Sequence, residues 1–102
     1  MITLTDPFIF KVLDVSTGHM THEDNLGLAA NSVDSAKALV PVYELGEYGW
    51  LVYIGELDDN WPAEDWSEAF RTVLKKALEL GCEYVRWDRD GKKYDELETF
   101  DW

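Results

Sequence analysis

Basic residues are scarce in this chain. Nine lysines and arginines stand against 21 aspartates and glutamates, for a net charge of −12 over 102 residues. That exceeds the magnitude of roughly 2–8 that suits a small soluble domain. Affinity for phosphate comes from lysine and arginine, so direct binding to DNA, RNA or an anionic membrane is disfavoured and a basic partner is favoured. The competing reading is an acid-rich surface that serves only solubility. Cysteine is nearly absent too. Cys82 stands alone, which precludes an internal disulfide and fits a reducing cytoplasm. It reads as a small core residue rather than a nucleophile. No apolar run approaches the roughly 20 residues of a membrane span, and "MITLTDPFIF" has no basic region of the kind that opens a signal peptide. Neither "STGH" nor "LGEYG" has the pattern or the lysine of a phosphate loop. With no repeat, low-complexity stretch or linker, residues 1–102 read as one domain.

What the chain does have is apolar and aromatic content, 46% and 14%, enough for a core without disulfides or metal. "FIFKVLDV", residues 8–15, is β-branched and aromatic and predicts a strand, with Pro7 tolerated at its start. A helix is expected over about 22–32, with Thr21 as N-cap and Asp24 three residues on as a capping box. "LVPVYEL" and "YGWLVYIG" predict an antiparallel hairpin turning at Gly46 and Glu47, with Pro41 marking a strand start or edge. Residues 62–81 predict a helix opened by Pro62 and closed by Gly81. Its core stripe is Trp66, Phe70, Val73, Leu74, Ala77 and Leu80. "CEYVRWDRDG" predicts a strand ending in an Asp90-Gly91 turn, followed by a short strand or extended tail with Phe100 and Trp102 tucked against the body. The fold class is therefore α+β. The order β-α-β-β-α-β is that of a ferredoxin-like or related two-layer antiparallel sheet with two helices on one face, and order alone does not fix strand pairing.

Only "GHMTHED" clusters residue types used in catalysis. His19 and His22 are three apart with Glu23 and Asp24 following, a spacing from which a helix can offer a metal site. No third histidine or usable cysteine completes it, and a capped helix start explains the same residues. His19 near Ser16 or Thr17 raises an activated hydroxyl, on sequence proximity alone. No catalytic residue, metal or cofactor is assigned, and an enzyme is not expected.

The charge pattern says more. Glu56, Asp58, Asp59, Glu64, Asp65 and Glu68 form a run without a base, interleaved with Trp61 and Trp66. A second cluster, Asp95, Glu96, Glu98 and Asp101, closes the chain, and most bases lie between the two. Glu64 and Asp65 in a first helical turn would each gain about 0.3–1 kcal/mol from the helix dipole. That does not account for Glu56, Asp58 and Asp59. On one helix, three charges from Glu64 to Glu68 would give about one per 2 Å, near the one per 1.7 Å or so of duplex DNA.

"STGHMTHED", "EYGWLVYIG" and "TFDW" resemble a family of small bacterial domains of unknown function, often carried on plasmids and phage-like elements. The resemblance covers most of the chain and brings no site residues with it. In size and charge the chain also resembles the DNA-mimic inhibitors that phages and plasmids use against restriction or CRISPR systems. What that likeness implies is docking of the acidic face on a basic nucleic-acid channel, for example of a CRISPR effector complex. The two acidic clusters would stand in for phosphates, with Trp61 as an aromatic anchor. The alternatives are an adaptor with no inhibitory role and a small enzyme using His19 and His22.

Overall fold

The computed structural model describes residues 1–33, 41–55 and 66–102. The elements follow in the order β1 (Val12–Ser16), α1 (His22–Val33), β2 (Val42–Glu44), β3 (Gly49–Tyr53), α2 (Glu68–Glu79) and β4 (Tyr84–Asp88). The four strands form one sheet in the order β1-β4-β3-β2. The α+β class and the β-α-β-β-α-β succession are therefore as read from sequence. The pairing is that of the related layer rather than the ferredoxin-like one, and the sheet is mixed rather than wholly antiparallel. β1 runs parallel to β4, while β4–β3 and β3–β2 are antiparallel.

Strand alternation decides which face is covered. Val15 and Trp87 are register partners, as are Val52 and Val85, and Trp50 and Trp87. All five are buried. Phe70, Val73, Leu74 and Ala77 of α2 and Leu28 of α1 join them in one core, so both helices lie on this face. At its centre the Phe70 ring stacks between Trp66 (4.6 Å) and Trp87 (5.1 Å). The Trp50 indole donates to Asn25 Oδ1 of α1 at 2.9 Å, which satisfies the polar end of a buried ring. Two glycines permit these approaches. A Cβ on Gly27 would meet the Trp66 ring at 3.1 Å, and one on Gly49, at φ +148°, would lie 1.8 Å from the Trp87 carbonyl oxygen.

Three expectations are corrected. The first strand begins at Val12, not Phe8, because its ladder with β4 opens at the Val12–Tyr84 pair, just after the Lys11 carbonyl, which accepts the Glu83 and Tyr84 N–H groups. Phe10 makes only an edge-on contact with Tyr84 at 5.7 Å. The second helix begins at Glu68, because Ser67 adopts extended backbone and its Oγ accepts the Phe70 N–H at 3.1 Å. That is a side-chain N-cap, and Trp66 stacks on Phe70 from just outside it. Glu64 and Asp65, which the expected helical ruler also used, lie outside the described residues. Finally, Leu80 is the C-cap and is 46% exposed, not core.

Candidate functional site: an acidic depression between α2 and the C-terminal tail

The chain after β4 forms no strand. Asp88 Oδ1 accepts the Asp90 N–H at 2.8 Å and reverses the backbone, and an extended tail then returns across the domain. Its anchor is His19, which is fully buried. Nε2 of His19 accepts the Tyr94 N–H at 2.9 Å, so the ring proton sits on Nδ1 and is donated to the Glu98 carbonyl at 2.8 Å. The Phe100 N–H bonds the Gly18 carbonyl, and the Trp102 indole bonds the Met20 carbonyl at 2.9 Å. The Tyr94 hydroxyl donates to the Asp14 carbonyl at 2.8 Å. Burial, and then the Asp14 carboxylate, push the Tyr94 phenol above its ordinary pKa.

These contacts redefine the histidine cluster. Both His19 nitrogens are spent on backbone groups, so no lone pair remains for a metal or for activating a hydroxyl. Ser16 Oγ instead accepts the Gly18 N–H at 3.0 Å. The His22 ring packs edge-on against Trp102 at 5.3 Å. Among the described residues, no group of three or more histidine, cysteine or acidic side chains is placed to hold a metal ion. Asp24 completes the expected capping box, exchanging bonds with Thr21 at 3.0 and 3.1 Å. Its carboxylate also accepts the Ser67 N–H at 3.0 Å and the Ser67 hydroxyl at 2.5 Å. One buried carboxylate thus ties the starts of both helices together. The Ser67–Asp24 pair has a structural task, because the hydroxyl is at the same time the cap of α2.

The tail brings together acids that sequence separates by nearly thirty positions. Glu68 at the start of α2 lines the same depression, about 220 Å3, as Glu96 and Glu98 of the tail, with His19, Ala69, Thr72 and Leu97 completing it. Among the described residues the side-chain ion pairs are Lys76–Glu79, Arg86–Asp14 and Arg89–Asp90. None involves Glu68, Glu96 or Glu98. Glu79, Asp14 and Asp90 have basic partners, whereas these three face solvent around one concavity, whose field favours a cation. Asp95 and Asp101 are exposed on the same tail but do not line the depression. Glu56, Asp58, Asp59, Trp61, Glu64 and Asp65 lie outside the described residues. Sequence reasoning missed His19 as the tail's anchor, since its partners are 75 and 79 positions away.

A small two-layer α+β domain with an anionic depression is the class of protein these features define. Residues 12–102 match the C-terminal domain of DUF5983, a family of unknown function, and the chain belongs to that family. No curated protein matches the chain, and no solved structure does. Among the described residues no helix is long and apolar enough to cross a membrane.

Proposed function

We propose that the chain is an acidic inhibitor that imitates nucleic acid and docks on the basic channel of a bacterial defence complex, of the anti-CRISPR or anti-restriction type. The observation that carries this reading is the meeting of Glu68, Glu96 and Glu98, without basic partners, around one depression. A lysine or arginine that normally holds a phosphate would enter it. Glu56, Asp58, Asp59, Glu64 and Asp65 lead in sequence to Glu68 and, with Trp61, are further candidates for the contact on sequence grounds alone. Each exposed ion pair contributes only about 0.2–1 kcal/mol. The affinity is therefore collective, and the field acts chiefly by speeding encounter at low salt. The setting is a bacterial cytoplasm, where such channels and a reduced Cys82 both belong.

The test compares two variants of equal charge in a bacterial interference assay. Glu68→Lys/Glu96→Lys/Glu98→Lys abolishes inhibition. Glu23→Lys/Glu44→Lys/Glu47→Lys, altered at exposed acids away from the depression, retains it. Equal inhibition by both variants would leave the acids with solubility alone. Binding to a basic protein with no effect on interference would instead make the chain an adaptor.

A further inference from the structure

Residues 1–10 lie outside every strand and helix. Phe8 and Ile9 are 93% and 79% exposed, and Ile2, Leu4 and Phe10 are exposed as well. Phe8, Ile9 and Phe10 are consecutive and make one apolar tip, which Asp6, at φ +49°, and Pro7 separate from Ile2 and Leu4. Rings bury roughly 150–250 Å2 each, so covering Phe8 and Phe10 would remove roughly 300–500 Å2 from water, and a reciprocal exchange about twice that, before Ile2, Leu4 and Ile9 are counted. A standard interface takes about 800 Å2 from each partner.

Beside the arm's root lies a vacant apolar groove of about 470 Å3, lined by Leu13, Thr72, Val73, Leu80, Tyr94 and Leu97, with Lys76 and Glu96 at its rim. Such a volume falls within the roughly 300–1,000 Å3 of pockets that enclose a small apolar body. The arm leaves the domain at the groove's end, where the Lys11 ammonium bonds the Leu80 carbonyl at 2.5 Å. The exposure of Phe8 and Ile9 means that the arm does not fill the groove of its own chain. From Lys11, the three residues back to Phe8 span at most roughly 10 Å, enough to cross to a second copy set close to this root.

We propose that the arm of one copy seats Phe8 and Ile9 in the groove of a second, and that the exchange is reciprocal. Charge selects this occupant. The arm and its root, residues 1–11, hold one acid, Asp6, and one base, Lys11, in a chain of net −12. Two copies repel across their acidic surfaces, and the neutral arm is where they can approach. A basic partner, by contrast, gains nothing from this uncharged segment. An arm that binds where its own root emerges gives a two-fold, closed contact. The dimer is thus tightened by added salt, which screens the repulsion between copies, opposite to the salt response of the acidic depression.

Sedimentation over a concentration series tests this on the 102-residue chain. The parent is expected to pass from monomer to dimer, with a lower dissociation constant in high salt. Phe8→Asp on the arm and Leu80→Asp in the groove each weaken dimerisation about 30-fold or more, as loss of a buried hot-spot contact does. Both sites are exposed, so the fold tolerates them, and Ile9→Asp is a second arm variant. Mixing Phe8→Asp with Leu80→Asp restores one intact arm–groove contact and gives more dimer than either alone. A parent that stays monomeric at every concentration overturns the proposal, and so does a dimer that survives these substitutions or a mixture no better than its components.

Discussion

The two ends of the chain are both irregular, extended and rich in large apolar side chains, yet they have opposite fates. The C-terminal tail is held by His19, by the Gly18 and Met20 carbonyls and by Asp14. The arm before Lys11 carries six large exposed apolar residues. Apolar content alone therefore does not dock a terminal segment. The tail docks because each of its turns across the domain meets a polar partner, and a backbone group buried without one is costly.

The largest effect that sharpens this contrast comes from removing the anchor. His19→Leu strips partners from the Tyr94 N–H and the Glu98 carbonyl, and is expected to cost about 2–4 kcal/mol in a urea titration. Amide exchange of residues 94–102 should accelerate more than that of the β3–β4 ladder. If the tail stays as protected as in the parent, the anchor has been misplaced. Because Glu96 and Glu98 ride on the tail, the same variant should also lose inhibition.

A smaller effect follows from Tyr94→Phe, which deletes one hydrogen bond and should cost about 0.5–1.5 kcal/mol near neutrality. Its pH dependence has a definite sign. The folded phenol holds its proton more tightly than the unfolded one, whose pKa is about 10. The contribution is complete below that value and is lost as pH rises through the unfolded and then the folded pKa. Parent and variant should thus converge in alkali. The smallest effect belongs to the arm. Phe8→Asp should shift monomer stability by no more than about 0.5 kcal/mol, because the ring is already in water. A large loss there would mean that the arm packs on its own domain.

The same contrast marks what was legible in the sequence. Local signals were readable: the Thr21/Asp24 capping box, the hairpin turning at Gly46, and the buried stripe of Phe70, Val73, Leu74 and Ala77. Strand order was not, since alternation specifies a strand's buried face but not its neighbour, and so the parallel β1–β4 pair went unforeseen. The start of α2 was displaced because Pro62 and the acids after it make a convincing first turn, whereas Ser67, with Asp24 behind it, provides the cap. The acidic depression was half legible. Its residues were singled out as acids in two clusters, but their meeting depends on His19 fixing a tail 75 positions away.

The account rests most heavily on that depression as a receptor for a basic surface. Its most direct test is capture from a bacterial lysate on the immobilised chain at low and high salt, beside Glu68→Lys/Glu96→Lys/Glu98→Lys. The parent is expected to retain a nucleic-acid-binding protein at low salt and release it at high salt, and the variant to retain none. Capture of the same proteins by both chains at both salts would contradict it.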